Sequence, residues 1–390
     1  MTTNTKGTTV SNRSTTDFPT LQWSEGEQSF TALWHSEAGV SVPKRVEVVD
    51  DRINADTAYR LACEGTALLW RGDFQNGRLL LQALARRLDR KPRKALPVGA
   101  PLSEVFHRHR LAQSQRARTL GMLLLPVEAG YTIPLRRAPN VALACREAYG
   151  ATLEKEFFVI SLRELQGLIG AHEWRKKGVP VAALGASIHP HYGVFSPVRS
   201  EYVDLVAQAP LPKKDSAFDI GTGTGVLVAL LVKRGVARVM GTDQDPRALA
   251  CARENLERLS CRVKVVEADL FPKGKASLVV CNPPWLPGKP SSPLEHAVYD
   301  QDSRMLKGFL NGLVEHLEPG GEGWLILSDL AEHLGLRTRA ELLSMIEKAG
   351  LRVVERLDTK PSHPKSMDES DPLYRARAAE VTSLWRLAAA

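Results

Sequence analysis

The sequence predicts an α/β chain whose second half is an open, mainly parallel sheet covered by helices on both faces. Three observations predict it. From residue 215 onward, apolar runs of strand length alternate with stretches of helical spacing. The first run, ending Phe218-Asp219-Ile220, feeds into Gly221-Thr222-Gly223-Thr224-Gly225 and then an apolar helical pattern from Val226 to Val232. Two further strands end in polar groups, one at Asp243 and one at Asn282-Pro283-Pro284-Trp285. A strand, a glycine turn and a helix start together make a ligand site. Glycine lets backbone approach a ligand closely, and the helix start offers free N–H groups.

A chain of 390 residues has room for two domains. Residues 1–20, rich in Thr and Ser without an apolar core, read as a flexible tail and not a secretory signal. Residues 21–190 read as a basic N-terminal substrate-recognition domain of mixed α+β character, and residues 191–390 as the sheet domain. No apolar run approaches about 18 residues, so a cytoplasmic protein with no membrane span is expected. The five cysteines, Cys63, Cys145, Cys251, Cys261 and Cys281, are odd in number and lack a C-x-x-C pair. That argues against a disulfide framework or a structural zinc site. Residues 71–140 hold 14 Lys plus Arg against 4 Asp plus Glu, while residues 191–390 balance near zero. A basic module beside a neutral one points to a polyanionic partner, nucleic acid first.

In chain order, Trp23, Phe30 and Trp34 lie in a weakly patterned stretch that ends near Val49. Asp56 is positioned to cap a helix from Thr57 to Leu69, with Leu61, Ala62, Leu68 and Leu69 at helical spacing. A second helix spans Phe74 to Leu88 and ends in Arg86, Arg87, Arg90, Lys91, Arg93 and Lys94; part of that cluster suits a helix C-terminus. Ser103 opens a third helix that carries Arg108, Arg110, Arg116 and Arg118. Gly121 to Val127 reads as a strand, with Tyr131 to Leu135 as its hairpin return. Asn140 caps a helix from Val141 to Tyr149. Phe157 to Ile160 reads as a strand, Arg163 to Gly170 as a short helix. His189 and His191 have no supporting carboxylate or thiolate cluster in the sequence, so no metal is expected there. Val198 to Ala207 leads as a helix into the sheet.

The sheet domain then needs strands at 217–220, 237–242, 262–266, 276–281, 323–328 and 351–357, with a last apolar run from Val381 to Leu387. Helices fall at Val226 to Arg234, Pro246 to Leu259, Ser303 to Leu317 and Arg339 to Ala349. Pro246 sits where the first residue of a helix belongs.

A dinucleotide fingerprint asks for G-x-G-x-x-G, and here the third position is Val226. Asp219-x-Gly221-x-Gly223-x-Gly225 instead resembles the first motif of class I S-adenosylmethionine-dependent methyltransferases, over about residues 190–390. The resemblance implies a Rossmann-like seven-stranded sheet with S-adenosyl-L-methionine on Asp219, Gly221, Thr222, Gly223, Thr224 and Gly225. It implies that Asp243 holds the ribose hydroxyls, and that Asp269, with Leu270 beside it, holds the adenine amino group. Asn282-Pro283-Pro284-Trp285 resembles the [D/N]-P-P-[F/Y/W] motif of family members that methylate amino nitrogens conjugated to a π system. Such a nitrogen is a poor nucleophile because its lone pair is delocalised. The Asn282 side-chain oxygen and the Pro283 carbonyl would accept from its NH2 group, the prolines would fix those acceptors, and Trp285 would offer a flat face.

Tyr192 to Glu201 resembles the segment before the first motif in release-factor glutamine methyltransferases; Asn-Pro-Pro with an aromatic is shared with ribosomal RNA N-methyltransferases of the same small-domain superfamily. The leading expectation is methylation of an exocyclic amine of a base in RNA, ribosomal RNA first, gripped by residues 71–140. A protein glutamine is the alternative acceptor, and a non-catalytic RNA-binding protein that retains the fold is a third.

Overall fold

The computed structural model describes residues 18–90, 99–290, 293–361 and 368–390. Most of the expected tail, and Lys91, Arg93 and Lys94, lie outside the described residues. Two compact units divide the chain: Met1–Val98 with His107–Glu173, and Gly99–Phe106 with Trp174–Ala390. The expected boundary at residue 190 falls inside the second of them.

The first unit begins with β1 (Thr20–Glu25) and β2 (Gln28–Trp34), followed by β3 (Arg45–Val49), α1 (Ala55–Cys63), β4 (Thr66–Trp70) and α2 (Phe74–Arg90). The chain continues through α3 (Leu102–Leu120), β5 (Leu123–Val127), α4 (Ala142–Tyr149), β6 (Phe158–Ser161) and α5 (Leu162–Lys177). Six strands pair in the order β1-β2-β6-β5-β4-β3. Thr20 already opens β1, and the stretch without clear pattern proves to be a hairpin on which Trp23 stacks against Phe30, ring centroids 5.7 Å apart.

The helix expected over Thr57 to Leu69 stops at Cys63. Asn54, not Asp56, caps it, its side chain accepting from Thr57 N at 2.9 Å. Gly65, at φ +81°, takes the left-handed conformation that ends helices. Leu68 and Leu69 belong to β4, all five of whose residues are buried, and it pairs in parallel with β3 and β5. A strand buried on both faces reads as a continuous apolar run, so helical spacing within it is accidental. Nor do Tyr131 to Leu135 return as a hairpin. Gly130 turns the chain at φ +73°, Tyr131 buries its ring, and β5 takes β6 as its antiparallel partner.

In the second unit come β7 (Val179–Val181), β8 (Ala186–Ile188), α6 (Glu201–Gln208), β9 (Ser216–Ile220), α7 (Val226–Lys233), β10 (Arg238–Asp243), α8 (Pro246–Arg258) and β11 (Lys264–Glu267). After them follow β12 (Ala276–Cys281), β13 (Leu286–Pro287), β14 (Tyr299–Asp300), α9 (Arg304–His316), β15 (Leu317–Ser328), α10 (Leu330–His333), α11 (Arg339–Lys348), β16 (Leu351–Thr359), α12 (Tyr374–Ala379) and β17 (Thr382–Ala389). Seven strands pair in the order β11-β10-β9-β12-β15-β17-β16, parallel except where β17 runs antiparallel to its two neighbours. This is the α/β sheet the sequence predicts.

Alternation along the central strands splits the core in two. Leu278, Val280, Trp324 and Ile326 pack with α6, α7 and α8, whereas Val279, Cys281, Leu325 and Leu327 pack with α9 and α11. The order also fixes where a ligand belongs. β9 and β12 are neighbours whose following helices lie on opposite faces, which leaves a crevice at their carboxyl ends. Phe309 of α9 is fully buried and stacks on Phe271 at 5.9 Å. Replacing it with alanine removes a buried ring and should cost about 3–5 kcal/mol. Urea denaturation should show the loss, and a change below about 1 kcal/mol would contradict this packing.

Candidate active site

The turn after β9 is held in a shape that only glycine adopts easily. Gly221, Gly223 and Gly225 have φ of +70°, +54° and +80°. A Cβ on Gly225 would meet the Ala252 backbone at 3.3 Å, so here the glycine also lets α7 approach α8. Thr222 N donates to Thr242 O at 2.8 Å, which ties the turn to β10. Asn255 Nδ2 donates to Thr224 O at 3.1 Å and holds the far side of the turn. Above Gly223 a Cβ would meet nothing within 4 Å among the described residues, so its backbone is open to an approaching ligand.

Two carboxylates flank the turn. Asp219 lies buried at 1% exposure, with Oδ2 accepting from the Thr222 hydroxyl at 2.7 Å. Burial pushes its carboxyl up to about 7, the Thr222 hydrogen bond opposes that rise, and the neighbouring Asp243 charge adds to it. Asp243 ends β10. Its Oδ2 accepts from Gly223 N and its Oδ1 from Asp245 N, both at 3.0 Å. Burial raises this carboxyl too, against those backbone donors. Each Asp243 oxygen keeps a second lone pair, so the pair can still receive two hydroxyls. An open glycine backbone beside a two-oxygen acceptor fits a ribose-bearing cofactor. Asp269 follows β11 and forms an exposed ion pair with Arg304. Leu270 sits at φ +76°, its carbonyl accepting from Thr242 Oγ1 at 2.6 Å.

Asn282, Pro283, Pro284 and Trp285 leave β12 beside this turn, since Cys281 lies opposite Ile220 in the β12–β9 register. The Trp285 indole N–H donates to Asn282 Oδ1 at 2.9 Å, which leaves that oxygen one further lone pair. Arg199 lies over the Trp285 ring, its Cζ 5.5 Å from the centroid. One ring face is thus under a guanidinium. Sequence reading placed Arg199 and Glu201 in the segment before the first motif without a role for Arg199, and it missed Glu380. Arg199 donates from Nε to Glu201 Oε1 at 2.9 Å and from Nη2 to Glu380 Oε1 at 3.2 Å. Glu380 also accepts from Ser328 Oγ at 2.7 Å. Glu380 follows Arg199 by 181 residues, so no local pattern could join them.

The histidine pair is structural. His189 Nδ1 lies 2.6 Å from Arg175 O, and His191 Nε2 lies 2.7 Å from Glu254 Oε2. The His191 contact, aided by Arg258 and Arg175, holds the Glu254 carboxyl far below the usual carboxylate range. Among the described residues, no group of three or more His, Cys, Asp or Glu is placed to hold a metal ion.

The methyltransferase small domain family matches residues 185–348. The chain is similar to a release factor glutamine methyltransferase of Geobacter sulfurreducens, 33% identical over 246 residues, or 59% of this chain and 78% of that one. It is similar to a tRNA1(Val) (adenine(37)-N6)-methyltransferase of Shewanella loihica, 28% identical over 208 residues, 47% of this chain and 84% of that one. A ribosomal protein L11 methyltransferase of Geobacter metallireducens is 32% identical over 151 residues, 39% of this chain and 41% of that one.

The Asp219 carboxyl has a testable signature. Its ordinary value is 3.8 and its folded value about 7, so between these the folded chain holds a proton that the unfolded chain has lost. The stability this contributes is present below about pH 4 and is lost as pH rises through 7. Asp219→Asn removes the effect. The variant's melting temperature relative to the parent should therefore climb from pH 4 to pH 8 in a thermal scan, and a flat difference would contradict the assignment.

Proposed function

The chain belongs to the methyltransferase small-domain family of S-adenosylmethionine-dependent N-methyltransferases, and on that premise we propose that it methylates the exocyclic amino nitrogen of a base in RNA. One observation carries the assignment of the site: Asn282 and Gly221 leave neighbouring strands side by side. Asp243 then receives the ribose hydroxyls, Asp269 and Leu270 border the adenine, and Asp219 with Gly221, Thr222, Gly223, Thr224 and Gly225 shapes the turn over the methionine part. S-adenosylmethionine, when bound there, would supply an electrophilic sulfonium methyl, the new N–C bond forming at the acceptor lone pair as the C–S pair returns to sulfur. Asn282 Oδ1 and the Pro283 carbonyl accept the two N–H bonds of the acceptor, which draws the lone pair out of conjugation and aims it. Pro283 and Pro284 restrict the backbone that carries these acceptors. Trp285 fixes Asn282 through its indole N–H. The proton left on nitrogen after transfer goes to solvent.

Support for RNA comes from the first unit. Arg136 and Arg137 both donate from Nε to Asp73 Oδ2, at 2.9 and 2.7 Å, while their side chains stay 78% and 54% exposed. Two held guanidiniums on one carboxylate leave a net positive charge with outward N–H groups, which suits phosphate. A protein glutamine is the second reading, favoured by the similarity to the Geobacter sulfurreducens protein. Its amide shares the delocalised lone pair.

Incubation with tritiated cofactor and cell extract separates the two. Label should enter RNA and disappear after ribonuclease; ribonuclease-resistant label in protein would favour glutamine, and no label in either would sink both. Asn282→Ala should lower transfer about a hundredfold or more. Changing Arg136 and Arg137 together to glutamine should flatten the salt dependence of binding to single-stranded RNA by roughly 1.4, about 0.7 for each phosphate contact. An unchanged slope would remove the pair from the interface.

A further inference from the structure

The first turns of α9 touch the ends of two strands at once, and no motif gives them a role. A Cβ on Gly221 would sit 2.5 Å from Met305 Cε, so the Met305 methyl rests directly on the first glycine of the β9 turn. A Cβ on Gly308, three residues on and along the same helix face, would sit 2.5 Å from Leu270 Cδ1. Arg304 adds its ion pair to Asp269. Gly221 follows β9, and Asp269 and Leu270 follow β11; β10, with Asp243 as its last residue, lies between those two strands. The start of α9 therefore walls the row of strand ends from β9 to β11, on the face where Phe309 is packed.

The helix start is held there against local preference. Asp302 and Ser303 are consecutive non-glycine residues at φ +57° and +53°. Such conformations persist where the surroundings over-determine them, and they gather at ligand sites. Asp300 accepts from Met305 N and Leu306 N at 3.0 Å, and Lys307 Nζ donates to Asp302 O at 2.8 Å. With those helix N–H groups occupied, what α9 offers the crevice is side chain. Met305 and Leu270 are both half-buried, each packed in part on the core below and in part exposed. An unbranched thioether adapts readily to the shape of what lies on it.

A ligand whose ribose is held by Asp243 and whose base reaches Asp269 has to run along this wall. Resting on the methyl-transfer reading above, we infer that Met305 is a cofactor-binding residue, the apolar wall against the adenosine half of S-adenosylmethionine, with Leu270 continuing it toward the base. The contact is with the nucleoside, so it is made alike to S-adenosylhomocysteine and to 5′-methylthioadenosine, which lacks the amino-acid end.

Methionine labelled with carbon-13 in its ε-methyl tests this on the unsubstituted full chain. The chain has six methionines, and Met305→Leu identifies the Met305 signal by its loss. That signal should shift when S-adenosylhomocysteine or 5′-methylthioadenosine binds, because a purine ring current acts on a methyl packed near it. By calorimetry, Met305→Ala should weaken S-adenosylhomocysteine about tenfold through lost apolar contact, while Met305→Leu, of similar volume, should stay within about threefold. A signal that does not move when S-adenosylhomocysteine binds, or parental affinity in Met305→Ala, would mean that Met305 packs only on protein. A signal moved by S-adenosylhomocysteine but not by bound 5′-methylthioadenosine would put Met305 at the amino-acid end. Each of these results overturns the inference. A parent chain that binds neither ligand would instead sink the methyltransferase reading itself.

Discussion

A buried carboxylate and a half-buried one near the tips of neighbouring strands set the constraint on which the second unit depends. Asp219 is the last residue but one of β9 and Asp243 the last of β10, and desolvation disfavours the charge of each. Neither can be satisfied by the sheet, whose ladder ends just there. The turn between β9 and α7 supplies what they need. Thr222 gives a hydroxyl to Asp219, and Gly223 gives a backbone N–H to Asp243. Those donors point the required way only because three glycines hold left-handed φ. The same geometry leaves the turn's outer surface open. Left-handed glycines, a buried carboxyl and an open turn surface are therefore one feature seen from three sides.

That feature divides the work along the sheet. On the reading proposed above, the β9 and β10 ends hold the cofactor and the β12 end meets the acceptor, with Asn282 at the seam. Cys281 opposite Ile220 makes the seam narrow, and the alternation that sends β12 side chains into two cores keeps the strand rigid up to its last residue. Asp300 braces the loop beyond the motif, accepting from Met305 N and Leu306 N at 3.0 Å as it starts α9. Positioning catalysis asks for this kind of support, because a misplaced lone pair transfers slowly.

Legibility followed the range of the forces. The β12 strand was readable to both its ends, and the glycine turn to each residue, because local sterics and periodicity determine them. β4 was not: Leu61, Ala62, Leu68 and Leu69 imitate a helix face, and only pairing with β3 and β5 makes the second pair a strand. The β1–β2 hairpin escaped because its burial is uneven along β2. In the candidate site, residues inside motifs were visible, and Glu380, the carboxylate that reaches Arg199 from far along the chain, was not. Glu380 meets Arg199 only after the chain has wound through the whole sheet. Trp285 was legible as a residue of the motif, but its indole bond to Asn282 and the guanidinium over its ring are facts of packing.

The most direct measurement is a crystal structure of the chain with S-adenosylhomocysteine. The ribose hydroxyls should lie within about 3 Å of the Asp243 carboxylate, and the sulfur should face the Asn282 side chain. Density for the ligand away from the β9 turn, or a sulfur facing away from Asn282, would contradict a site built on the paired strand ends.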